Sequence, residues 1–218
     1  MKELDEFLPL LEDENKSEAV RYAMNLLESG KMDVRTLYEQ VISPSLYQMQ
    51  CQLGDKDYCI WKEHVRKGIL RTIVECSYPY VLKERGAKGL SEKGKAIVLC
   101  PPEEYDDLDA RITSDFFNLL GWNSVFVGSD TPFRDFYNAA SRIGPQIIAI
   151  IVTNYYTLVV SKKIITQLKA LLGDSVKIAV GGYAVRPDSG NFASLGADEF
   201  IGSFEDLLKV TEGAGEKR

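Results

Sequence analysis

The sequence predicts two modules in series, a bundle of about four helices followed by an α/β domain on a five-stranded parallel sheet. Apolar residues recur at helical intervals as far as roughly Arg85, and beyond a polar, glycine-rich stretch at 85–94 short β-rich runs alternate with helical ones. A chain of 218 residues is long enough for two units that each bury a core.

In the first module Val20, Ala23, Met24 and Leu27 form one apolar stripe, Val34, Leu37, Tyr38 and Val41 a second, and Ile60, Trp61, Val65, Ile69 and Ile73 a third. Gly30 is expected to close one helix and Asp33 to cap the next. Gly54 and Asp55 should break the chain before a last long helix. The glycine-rich stretch then divides a helical domain over 1–88 from an α/β domain over 89–218.

Strands are expected over 96–100, 124–127, 147–153, 177–180 and 199–201, with helices between them as right-handed crossovers. The run from Ile147 to Val152 is apolar at every position, as a central strand covered on both faces would be. In an open sheet of this kind ligands bind beyond the carboxyl ends of the strands, where the strand order reverses. The loops after Cys100, Val127, Thr153 and Val180 are therefore the predicted site.

Composition narrows the function. A formal charge of −6 with scattered basic residues repels a phosphate backbone, so no direct nucleic-acid partner is expected. No apolar run approaches the ~20 residues of a membrane span, and the first residues lack the order of a signal peptide, so a cytoplasmic protein without membrane contact is expected. Cys51, Cys59, Cys76 and Cys100 contain no CxxC pair and read as buried, reduced thiols.

His64 is the only imidazole in the chain, and its neighbours Trp61, Val65 and Gly68 put it near the packed face of a helix. It reads either as a structural histidine or as a contact over a flat ring. The acidic run after the first strand offers Glu103, Glu104, Asp106, Asp107 and Asp109, as a magnesium site or as a solvated loop that favours the following helix N-terminus. The receiver-domain reading of this acidic pocket lacks its other parts, because the third strand ends in Thr153-Asn154 and the fourth in Gly181-Gly182.

A helical bundle, a glycine-rich linker and a flavodoxin-like domain in this order resemble the cobalamin-binding proteins, and the resemblance spans most of the chain. Leu120-Gly121-Trp122, Val127-Gly128, Ala179-Val180-Gly181-Gly182 and Gly196-Ala197-Asp198 match the family's motifs in order and at its spacing. In the bundle, Glu63-His64 resembles the pair that faces the corrin's upper side, although the tryptophan expected ten residues earlier falls on Leu53.

The resemblance breaks at the DxHxxG loop, whose histidine ligates cobalt. Its positions fall here on Glu104, Asp106 and Asp109. A carboxylate is a harder donor than imidazole, and Asp109 puts a side chain where the family's nucleotide tail passes close to backbone. That argues against the tail-inserted mode. The family's Ser-x-Leu falls on Ile151-Val152-Thr153, and Tyr155 and Tyr156 follow, placed to close the tail pocket or to cap the sheet.

The resemblance implies a ligand held by Glu63, His64, Asp106, Gly128, Thr153, Tyr155, Tyr156, Gly181, Gly182 and Ala197, with no catalytic residue and no protein metal ligand. The ligand would be cobalamin, another corrinoid or a related tetrapyrrole. The expected role is a non-catalytic sensor or regulatory protein without a lower axial histidine. The alternatives are a corrinoid methyl carrier with a partner methyltransferase, or a scaffold that has lost the cofactor; the partner could also be a regulator protein.

Overall fold

The computed structural model describes residues 1–48, 56–188 and 190–212, and the chain forms two units, Met1–Ala87 and Lys88–Arg218. The predicted break at Gly54-Asp55, together with Leu53 and Cys51, lies outside the described residues.

In the first unit the helices are α1 (Lys2–Glu12), α2 (Lys16–Glu28), α3 (Val34–Leu37), α4 (Ser43–Tyr47) and α5 (Lys56–Ala87). Capping sets two of the starts: Asn15 accepts the Glu18 N–H at 3.2 Å and Asp33 the Thr36 N–H at 2.7 Å. Glu84, far along α5, accepts the Val34 N–H at 2.8 Å and so ties the same helix start to α5.

Between α3 and α4 the turn widens over Tyr38–Ile42, where the Ser43 N–H reaches the Tyr38 carbonyl five residues back. Pro44 accounts for it, because its ring has no N–H to give Gln40 and would collide with that carbonyl in an ordinary helix. Phe7, Leu11, Leu37, Tyr38, Ile42, Ile69, Leu70 and Ile73 form the core of this unit. The Tyr38 hydroxyl, buried among them, donates to the Val74 carbonyl at 3.3 Å.

The third apolar stripe is only half realised. Ile69 and Ile73 are buried, but Trp61 is 52% exposed, and Ile60 and His64 are exposed as well. The early turns of α5 meet α1 and its following corner through Lys62 to Glu14 and Arg66 to the Glu12 carbonyl, which turns residues 60, 61 and 64 outward. The expectation that His64 sits at a packed face is corrected accordingly. The cysteines also differ from expectation: Cys59 is disulfide-bonded, Cys76 is exposed, and of the described thiols Cys100 alone is buried.

The second unit is a parallel sheet of β1 (Lys95–Leu99), β2 (Asn123–Gly128), β3 (Ile147–Ile151), β4 (Lys177–Gly181) and β5 (Glu199–Ile201), in the order β2-β1-β3-β4-β5. Helices α6 (Leu108–Leu119) and α10 (Phe204–Glu212) pack together through Phe116 and Phe204, ring centroids 5.0 Å apart. Ile97, Leu99, Ile148, Ile150, Ile178 and Val180 form the other core layer with Phe136 of α7 (Phe133–Ile143) and Ile164, Ile165 and Leu168 of α8 (Leu158–Leu172). Every residue of β3 is buried, as the sequence predicts for the centre of a doubly covered sheet.

Strand β2 lies at the rim, with Val125 and Val127 exposed. Its pairing slips by one residue: Val98 pairs with Phe126 but Leu99 with Gly128, so Val127 is left over as a bulge.

Asp198 fixes the other end of the sheet. Its N–H donates to the Ile178 carbonyl at 2.8 Å, its carboxylate accepts the Ile178 N–H at 2.8 Å, and Lys169 of α8 pairs with it. The short helix α9 (Asn191–Leu195) ends just before at Gly196, whose φ of +75° suits glycine.

Candidate functional site

The strand order reverses between β1 and β3, and the loops that follow the strands meet at their carboxyl edge. At that crevice stands Glu104, 3% exposed. Its carboxylate accepts the Thr153 N–H at 3.0 Å and the Thr153 hydroxyl at 2.7 Å. It also accepts the Asn154 N–H at 2.8 Å and the Thr157 hydroxyl at 3.3 Å. Two backbone amides at the mouth of the turn that starts α8 form a cup for negative charge, and the chain fills it with its own carboxylate.

The neighbouring loops are laced to the same segment. The Glu103 N–H donates to the Asp130 side chain at 2.9 Å, and the Asp130 N–H returns to the Glu104 carbonyl at 2.9 Å. Both residues are left-handed, Glu103 at φ +65° and Asp130 at φ +46°, a conformation that non-glycine residues hold only where the surroundings impose it.

On the far side of β3, the Val152 N–H donates to Gly181 at 2.8 Å and the Ala184 N–H to Val152 at 3.1 Å. Gly182, at φ +96°, lies so close that a Cβ on it would stand 2.5 Å from the Val152 carbonyl oxygen, and one on Gly181 would stand 2.4 Å from that of Ile201. The glycine pair is thus required by the approach of three strands.

Above this lacing the edge is aromatic. Tyr105 follows β1, Tyr155 and Tyr156 follow β3, and Tyr183 follows β4; all four are exposed, Tyr156 by 90%. Tyr155 meets Tyr183 edge to face at 6.3 Å, and the Arg186 guanidinium lies 5.0 Å over the Tyr183 ring. All four rings thus present solvent-accessible surface at this edge.

The acidic run disperses. Asp106 accepts the Leu108 N–H at 3.4 Å, and Asp107 pairs with Arg111 at 3.0 Å, whose guanidinium lies over Phe126. Glu104 is turned inward as described. Among the described residues no three His, Cys, Asp or Glu side chains gather in a group that could hold a metal ion. Burial pushes the Cys100 thiol up, and Glu104, Asp107, Asp106 and Asp109 push it the same way, so it remains a protonated thiol.

Of the residues predicted for the site, Asp106, Gly128, Thr153, Tyr155, Tyr156, Gly181 and Gly182 stand at this edge. Ala197 precedes β5 and stands at the amino-terminal edge of the sheet, beside the Asp198 anchor. Glu63 and His64 belong to α5 in the first unit, where Glu63 pairs with Lys67 at 2.7 Å. Sequence reasoning named Glu104 in the acidic run and the loop signature but left it out of the ligand set, and it passed over Asp130 and Thr157. Glu104 occupies the first position of the family's loop signature, and Thr153 and Thr157 are four residues apart at a helix start, the signals that pointed to them.

A parallel sheet in the order 2-1-3-4-5 with a laced, aromatic carboxyl edge defines a flavodoxin-like ligand-binding module. A family model described as the B12 binding domain matches residues 94–211, and the chain belongs to this family. It is 30% identical over 132 residues to a corrinoid protein of Desulfitobacterium hafniense, covering 58% of this chain and 60% of that one. It is 35% identical over 98 residues to trimethylamine corrinoid protein 1 of Methanosarcina acetivorans, covering 44% of each. The matches thus span less than two thirds of these relatives' own length. The structure of the Methanosarcina barkeri monomethylamine corrinoid protein superposes with a TM-score of 0.80 at 17% identity, over 97% of this chain and 98% of that one, a likeness of fold. Among the described residues no helix is long and apolar enough to cross a membrane.

Proposed function

We propose that the chain binds a corrinoid, cobalamin or a near relative, against the aromatic edge of its α/β unit, and that it does so as a non-catalytic sensing or regulatory protein of the cytoplasm. The observation that carries this reading is a B12-family domain whose carboxyl edge is pre-assembled and faces outward with Tyr105, Tyr155, Tyr156 and Tyr183. Flat apolar faces suit such an edge, and loops held before the ligand arrives lose little freedom on binding.

The residues fit a macrocycle but supply no nitrogen ligand from beneath: the only histidine is His64, in the first unit, and Asp106 stands where the family places its imidazole. A bound corrinoid would supply a redox-active cobalt ion able to carry an alkyl group. This chain's part is to hold and orient the ring, with Thr153, Gly181 and Gly182 forming the floor and the tyrosines the contact surface.

Purified protein mixed with hydroxocobalamin or methylcobalamin and passed through gel filtration tests the proposal. Retained colour at near one ring per chain is expected, and colourless protein overturns it. The second reading is a methyl carrier, favoured by relatives named as methylamine corrinoid proteins. Methyl transfer from the loaded protein to a thiol acceptor, in the presence of a partner methyltransferase, separates it from the first. The emptied scaffold has less support, because Tyr155 and Tyr156 remain exposed to solvent rather than buried in the domain.

A further inference from the structure

We infer that Glu104 closes the crevice between the β1 and β3 loops, so that the nucleotide tail of a bound corrinoid stays outside the domain. The inference rests on the proposed corrinoid binding and concerns how the ligand is seated.

Open sheets of this strand order receive ligands into the crevice at the β1/β3 reversal. Here the Glu104 carboxylate lies across that crevice, and both of its oxygens are engaged: Oε1 by the Thr153 hydroxyl and Oε2 by the Thr153 and Asn154 amides and the Thr157 hydroxyl. A tail threading the gap would have to displace a buried carboxylate and leave two amides without their acceptor, which costs more than most single contacts return.

Charge acts in the same direction. The tail of cobalamin carries an anionic phosphodiester, while this mouth already holds Glu104, with Asp106 in the β1 loop, Asp109 in the first turn of α6, and Asp107 paired with Arg111. The next gap is closed too, because Gly182 lies against Val152 and the Ala184 amide bonds across it. What remains accessible is the upper rim, where the tyrosines stand.

Glu104 is therefore a positioning residue that selects for the ring and against its appendage. Equilibrium binding of hydroxocobalamin and of cobinamide, the ring without the nucleotide, reads this directly. The two dissociation constants are expected to agree within about fivefold, and a larger preference for cobalamin overturns the inference. Failure of both ligands to bind overturns it together with the reading it rests on, whereas tight cobalamin with weak cobinamide overturns the seating alone. In Glu104→Ala the ratio is expected to move toward cobalamin by about tenfold or more. A purely structural role would weaken both ligands alike, and an unchanged ratio in the folded variant overturns the assignment to Glu104. If that variant does not fold, the ratio measured on the native chain still decides.

Discussion

Glu103 and Asp130, on different loops and both in left-handed backbone, hold each other at the carboxyl edge of the sheet: the Glu103 amide donates to the Asp130 carboxylate at 2.9 Å. The pair is the outer half of a lacing whose inner half is Glu104. Asp130→Ala removes the acceptor but keeps the strained backbone, so a loss of about 1 kcal/mol in urea unfolding is expected. Faster hydrogen exchange of the Glu103 amide should accompany it, and unchanged exchange would mean that the pair does not hold the loops.

Gly182→Ala should be among the most damaging single substitutions in the second unit. Its Cβ would fall inside the Val152 backbone, and the φ of +96° disfavours any side chain. A loss of about 3 kcal/mol or more is expected, read as a lower urea midpoint or as insoluble protein. A midpoint within error of the native chain would refute the close approach.

Tyr155→Ala and Tyr156→Ala separate binding from folding. Both side chains are exposed, so stability should change by no more than about 0.5 kcal/mol. Retention of hydroxocobalamin should fall severalfold in the double variant. Full retention would move the ligand away from this edge.

Cys100 gives a pH signature. Burial, then the neighbouring carboxylates, raises its thiol above the ordinary value, so the folded state binds its proton more tightly than the unfolded chain. Its contribution is fully present below about pH 8.5 and is lost as pH rises beyond that, where the unfolded thiol ionises and the folded one does not. A thiol reagent at pH 8 should modify exposed Cys76 and spare Cys100 until the protein unfolds. Equal rates at both would contradict the burial.

The fold could be read from the sequence because its signals are local and repeated. The unbroken apolar run of β3 and the glycine-rich stretch before β1 each have one physical meaning. The site was legible by place more than by role. Strand order alone selects the loops, but whether Glu104 faces solvent or its cup at Thr153 depends on contacts between residues about fifty positions apart, which periodicity does not report. The outward turn of Trp61 and His64 escaped for a similar reason: an apolar stripe along α5 marks a buried face only where other helices reach to cover it. Ala197 was placed by motif, and the motif proves to be an anchor at the opposite end of the sheet.

The leftover Val127 on β2 bears on how such a protein survives without its ligand. A straight rim strand bearing exposed valines would invite a second copy to continue the sheet, and stacks of copies would follow. One surplus residue bends that margin out of line with any incoming strand, so the molecule can keep its binding edge open to solvent while its flank resists polymerisation.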